Sequence, residues 1–322
     1  MSRTTPGKTV SHVTLLLALI FGGLSGCGEP GAMSTPQDHD TEEVADTMMM
    51  LLDTDQLHAL SNDEQGQKSG DVRILDVRSE SDYAAGHVPG ALWANASSIS
   101  RLAKQPGGMH DAKAWSDAIS PLGITRDTRV VVYGAQRSVS STTRIWWLLK
   151  YVGVKNAAIL DGGWQAWADS DNEQSATAAQ YEPSEFAPEF QKDRLIEVAE
   201  LKDRLNAQGV HLLDTRTENE YTGAQARGAR GGRIPGATHL NWTELVDENF
   251  RFKSKDDLKA LFESRGALPD QECITYCQSG GRASAEAFAL ELLGYKNVRT
   301  YYASWQEWSA AQDLPIETGD GG

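Results

Sequence analysis

The run Cys277-Gln278-Ser279-Gly280-Gly281-Arg282 puts one thiol ahead of a short, glycine-bearing loop and an arginine. The residues before it, Cys273-Ile274-Thr275-Tyr276, read as a buried strand, and residues 283–293 read as a helix that stops at Gly294. A cysteine between a strand end and a helix start is well placed to react as a thiolate. Successive loop N–H groups can curl toward its sulfur as an anion nest, the helix N-terminus adds partial positive charge, and Arg282 adds a full one. Gly280 and Gly281 permit close backbone approach and positive φ. A nucleophile of this kind splits one group transfer into two displacements. Cys273 is not spaced to form a disulfide with it. Four strand residues rise about 13 Å, against the roughly 7 Å that a disulfide spans between Cα atoms.

The elements that must hold this loop occur twice. Asp76-Val77-Arg78-Ser79-Glu80-Ser81-Asp82-Tyr83 matches Asp214-Thr215-Arg216-Thr217-Glu218-Asn219-Glu220-Tyr221, and His87-Val88-Pro89-Gly90-Ala91 matches Arg233-Ile234-Pro235-Gly236-Ala237. Val130-Val131-Val132-Tyr133 matches the strand before Cys277, and Trp164-Gln165-Ala166-Trp167 matches Trp305-Gln306-Glu307-Trp308. The order is the same in both halves, so the chain is a duplicated domain. Where the second copy has Cys277, the first has Gly134-Ala135-Gln136-Arg137-Ser138 and no thiol. The difference between the copies marks where the chemistry is. The recurring tryptophans read as packing residues.

Within each copy, strand runs at 72–75 and 210–213 alternate with helical patterns at 144–152 and 283–293. This predicts an α/β fold, two tandem domains each with a mostly parallel sheet and helices on both faces, with ligands beyond the strand C-termini. The expected divisions are a leader over 1–26, a polar tether over 27–50, a first domain over 51–170, a linker over 171–192 and a second domain over 193–318.

Asp214 and Arg216 could border the site, but Asp76 and Arg78 repeat them in the Cys-less copy. A structural role follows, with Arg216 expected to pair with Glu220. The stretch from Ala224 to Gly231 is extra in the second copy, and its Arg227 and Arg230, with Arg233 just beyond, read either as a solvated loop or as a funnel for anions. No metal-ligand spacing and no glycine-rich nucleotide fingerprint appears, so neither metal nor cofactor is expected.

With 30 Lys and Arg against 45 Asp and Glu, the net charge is −15. So acidic a chain is a poor binder of nucleic acid or of anionic lipid by charge, and an anionic substrate needs a local basic site. At the N-terminus, Arg3 and Lys8 precede a short apolar run ending Leu24-Ser25-Gly26-Cys27. This has the form of a secretory leader and resembles a bacterial lipobox, which implies acylation of Cys27 and export to a membrane face outside the cytoplasm. The following residue is Gly28, not an inner-membrane-retaining Asp.

From about residue 50 to 316 the chain resembles a tandem-domain rhodanese. The resemblance rests on the Cys277 to Arg282 loop, the two Asp-x-Arg strand ends, the two Pro-Gly-Ala turns and Asp161-Gly162-Gly163-Trp164. It implies a thiosulfate sulfurtransferase in which Cys277 takes the outer sulfur as a persulfide and passes it to cyanide or a thiol. Gln278, Ser279, Gly280, Gly281 and Arg282 would cradle the anion. Mercaptopyruvate as donor, or a non-catalytic sulfur relay, are the alternatives. Cysteine-dependent phosphatases and arsenate reductases carry five residues between Cys and Arg. Here there are four, a tighter cradle suited to one sulfur. Ser279 stands where mitochondrial family members carry a Lys, Arg282 replaces a Thr, and Glu220 stands where a substrate-binding Arg would be. On this reading the charge of Arg282 favours a dianion such as thiosulfate.

Overall fold

The computed structural model describes Met1, residues 50–62 and residues 72–319. Cys27, and with it the leader and tether readings, lies outside the described residues.

Two parallel sheets organise the chain. In the first copy β1 (Leu51–Leu52), β2 (Val72–Asp76), β3 (Ala91–Trp93), β4 (Arg129–Tyr133) and β5 (Asn156–Leu160) take the order β1-β5-β4-β2-β3, every pair parallel. In the second, β6 (Val210–Asp214), β7 (Thr238–His239), β8 (Glu272–Tyr276) and β9 (Val298–Thr300) take the order β7-β6-β8-β9, again all parallel. A parallel bridge from Leu195 to Thr300 stands beside β9 as β1 stands beside β5. The first copy's helices are α1 (Thr54–Asn62), α2 (Glu80–Ala85), α3 (Ala96–Lys104), α4 (Ala112–Ile119), α5 (Val139–Tyr151) and α6 (Gly163–Ala168). The second copy's are α7 (Val198–Arg204), α8 (Glu218–Thr222), α9 (Lys255–Ser264), α10 (Gly281–Leu292) and α11 (Ser304–Ala310). The expected α/β class and duplication are both present. Among the described residues no helix is long and apolar enough to cross a membrane.

The central strands are buried on both faces, which is why they read as unbroken apolar runs. On β4, Val131 and Tyr133 face one apolar cluster while Val130 and Val132 face another. On β8, Ile274 and Tyr276 face one cluster and Cys273 the other. The cluster under Val130 and the cluster under Cys273 are one continuous core. There α5 packs on α10, with the Trp146 ring edge-on to Phe288 at 4.8 Å. The two copies therefore share a core.

Helix α5 begins five residues before the expected 144–152. Val139, Ser140, Ser141, Thr142 and Thr143 are indifferent helix formers, and their side chains hid the start. The hydroxyls of Thr142 and Thr143 donate back to the carbonyls of Ser138 and Val139, which lets them sit in a buried helix. Helix α10 follows the reading closely, and Gly294 leaves it at φ +85°. The stretch between the copies is strapped to the first one. Ser175 pairs with His87, Ser184 N–H donates to Ser120 O, and Phe186 is buried.

Each copy also sends an arm over the other. After β3, α3 ends at Lys104, whose Nζ lies 3.3 Å from Ser279 Oγ. After β7, Phe252 N–H donates to Asp161 at 3.0 Å and the Phe250 ring lies under the Arg137 guanidinium, 5.2 Å from its centroid.

Candidate active site

The strand ends are held by a buried buckle in both copies. Arg216 donates through Nε and Nη2 to the two oxygens of Asp214, at 2.9 and 2.6 Å, and through Nη2 to Gly232 O. Tyr276 Oη donates to Asp214 at 2.6 Å, and Trp305 lies under the guanidinium. Asp76, Arg78, Gly86 O, Tyr133 and Trp164 repeat every contact. Burial alone would lower the Arg216 guanidinium, but the bonds and charge of Asp214 raise it above its ordinary value. The expected Arg216–Glu220 pair does not form. An arginine two residues past an aspartate at a strand end can fold back bidentately on it, and this turn geometry is invisible to side-chain spacing.

Glu220 pairs with Arg282 instead, Nη1 to Oε2 at 2.6 Å and Nη2 to Oε1 at 3.0 Å. It is also the N3 residue of a capping box with Thr217 at the start of α8. Burial pushes the Glu220 carboxyl up, but the Arg282 and Thr217 donors outweigh it and hold it at about 2. Arg282 therefore meets a fixed carboxylate, and its charge is not the unpaired cation the sequence suggested.

The other arginines are also engaged. Arg230 donates to the carbonyls of Trp308, Ser309, Ala311 and Leu314, closing the end of α11. Arg233 is buried, donates to Gly319 O and faces Glu317. Arg227 remains exposed, with Nη1 3.8 Å from Glu220, and its carbonyl accepts from Gln278. The funnel reading thus loses two of its three cations to structural bonds.

Cys277 follows β8 directly and is 2% exposed. Ser279 N–H points at Cys277 Sγ at 3.4 Å, the first donor of the expected nest. Gly280 has φ +86°, and a Cβ there would stand 2.7 Å from the Tyr302 ring. A Cβ on Gly281 would stand 2.2 Å from Arg144 Nη2. One glycine serves the backbone turn, the other an arginine of the first copy. Cys273 is free but sealed in the core, and burial pushes its thiol up to about 12. Glu286, one turn beyond Arg282, is fully buried with no partner for either oxygen among the described residues, and burial raises its carboxyl well above the ordinary range. Beneath Cys277, α10 thus carries a buried carboxyl whose charged form burial disfavours. Among the described residues no cluster of metal-ligating side chains occurs.

Two stretches match the family model for a rhodanese-like domain, residues 53–170 and 197–311. The chain belongs to the rhodanese family. It is similar to the 3-mercaptopyruvate sulfurtransferase of Escherichia coli (strain K12), 30% identical over 77% of this chain and 92% of that protein. It is also similar to the thiosulfate sulfurtransferase of Corynebacterium glutamicum, 33% identical over 74% of this chain and 82% of that one. Among solved structures, an anaerobic ergothioneine biosynthesis enzyme from Chlorobium limicola shares the fold, with TM-score 0.75 and 23% identity over 85% of this chain and 71% of that one. Rhodanese sulfurtransferases handle a sulfur donor and an acceptor.

In this rhodanese one residue beside Cys277 escaped the sequence reading. Ser304 is buried and holds φ +61°, a conformation that favours glycine. Its Oγ accepts from Cys277 N–H at 3.2 Å, donates to Tyr301 O at 2.7 Å and lies 4.0 Å from Sγ. The repeat contains the signal. The first copy has Gly163 at this position, with φ +58°. A serine kept in a glycine conformation only in the Cys-bearing copy points to function. Ser304→Gly is expected to keep its melting temperature, because relief of about 1–2 kcal/mol of backbone strain offsets the lost bonds. Alkylation of Cys277 by iodoacetamide should change about threefold or more, as expected for one lost hydrogen bond. Equal alkylation rates would leave Ser304 as filler.

Proposed function

We propose that this protein moves the outer sulfur of thiosulfate to a thiophilic acceptor through a persulfide on Cys277. The observation that carries this is the placement of Cys277. It is the thiol that only the second copy carries at this strand end, set between β8 and α10 with a loop N–H on its sulfur. The Cys277 thiolate attacks the outer sulfur, the S–S bond of thiosulfate breaks with its electron pair on sulfite, and a Cys277 persulfide anion remains. Cyanide then attacks the terminal sulfur, thiocyanate leaves and the thiolate returns. Loop dipoles that stabilise the anionic persulfide act without reorganising, as in an oxyanion hole.

The test follows thiocyanate from thiosulfate and cyanide, with mercaptopyruvate and a phosphate ester as parallel substrates. Thiocyanate from thiosulfate supports the reading. Turnover of the phosphate ester alone overturns it, and a clear preference for mercaptopyruvate reassigns the donor. Persulfide uptake from a partner protein without turnover makes the chain a relay.

We further propose that Cys27 is acylated and anchors the exported protein at a membrane. Cys27→Ser is expected to release it from the membrane fraction or to block its maturation. A Cys27→Ser protein that stays membrane-bound and uncleaved would make the leader a transmembrane anchor. Two chains are needed, since one myristoyl-length chain binds with only about 10⁴ M⁻¹.

A further inference from the structure

Thiosulfate is a dianion, the protein is acidic overall, and Arg282 is already matched by Glu220. A cation for the donor must come from elsewhere, and two stand over the loop from the other copy. Lys104, the last residue of α3, reaches Ser279 Oγ at 3.3 Å. Arg144, on α5, donates from Nη2 to Ser279 O at 3.3 Å and lies against Gly281. Among the described residues neither has a carboxylate within ion-pair distance. Arg144 Nε and Tyr302 Oη are both buried with no hydrogen-bond partner among the described residues. Tyr302 is 3% exposed, its ring stacks on Trp147 at 5.2 Å and it packs over Gly280. A cleft of about 630 Å³ between the copies opens on the Lys104 side of this pair, lined by Lys104, Ser279, Tyr302 and Gln306, with Glu197 and Glu307 also on its wall. Burial lowers the Lys104 ammonium, Arg144 lowers it further, and Cys277 acts the other way. Two like charges held together without a carboxylate repel each other, and an anion between them relieves that repulsion.

We propose that the Cys-less copy supplies the anion-recognition cations of the sulfur site, with Lys104 and Arg144 gripping the distal oxyanion of the donor and Tyr302 Oη as a further donor. The inference rests on the Cys277 sulfur-transfer reading for the donor's identity. The cationic site itself does not depend on that reading. The donor's sulfonate lies over Ser279 while its outer sulfur faces Sγ. This places the missing basic residues of the loop on a different domain, where no local motif shows them.

Two alkylating agents of like size separate charge recognition from sulfur chemistry. Iodoacetate carries a carboxylate and iodoacetamide does not, and both alkylate Cys277. Lys104→Gln is expected to lower the iodoacetate-to-iodoacetamide rate ratio about tenfold, the scale of one charge-assisted bond, while Lys104→Arg keeps it. Arg144→Gln should act in the same direction. For thiosulfate, Lys104→Gln should raise KM with a smaller change in kcat. An unchanged ratio in both glutamine variants overturns the inference. A lowered ratio in a protein that turns over no thiosulfate retains the anion site and removes the donor reading instead.

Discussion

Cys277→Ser takes up no sulfur. After incubation with thiosulfate, intact-mass measurement should show one added sulfur on the wild-type chain and none on the variant. Thiocyanate formation should fall by a factor on the order of 10⁶, as when a covalent nucleophile is deleted. Cys273 cannot substitute, because it sits fully buried in the shared core four residues back along β8 and burial pushes its thiol up to about 12. The variant should fold, since serine fills nearly the same volume at a strand end. A persulfide on Cys273, or turnover by the serine variant, would refute the assignment.

The second large effect concerns the buckle. Asp214→Ala leaves the Arg216 guanidinium buried, with side-chain exposure of 1%, and without its counter-charge. Removing one partner from a buried pair costs about 3–5 kcal/mol, a large share of the roughly 5–15 kcal/mol that holds a domain folded. Denaturant midpoints should drop sharply. The double variant Asp214→Leu/Arg216→Met should recover much of the loss, because a buried pair replaced as a unit costs far less than a broken one. Asp76→Ala should behave alike, since Arg78 and Tyr133 meet Asp76 in the same geometry. Additive losses in the double variant would show that the pair does not act as a unit.

Much of this was legible from the sequence. The duplication, the parallel strands and the Cys277 loop follow from local runs, because strands buried on both faces and a strand-loop-helix thiol have their signal within a few residues. The partner exchange among Arg216, Glu220 and Arg282 was not legible. All three sit within reach of one another, and only the turn after β6 decides that Asp214 takes Arg216 and leaves Glu220 to Arg282. Arg230 looked like a surface charge because the carbonyls it closes belong to a helix end about 80 residues away. Lys104 lies 175 residues from Ser279 along the chain, so no motif could join them. Ser304 could have been found, since alignment of the copies sets it opposite Gly163.

The exchanged arms make this single chain resemble a dimer of two diverged halves, with the loop thiol in one of them. Lys104 of one half reaches Ser279, and Phe252 N–H of the other reaches Asp161, so each half holds the other. Tethered halves meet at an effective concentration in the millimolar range, far above that of free proteins. The strapped segment over 171–192 thus makes the contact of Lys104 and Arg144 with the Cys277 loop an intramolecular event. The half without the loop thiol is thereby a permanently docked subunit, and its own strand end, at Gly134, is closed by Phe250 and Phe252 of the other half against Arg137 and Asp161.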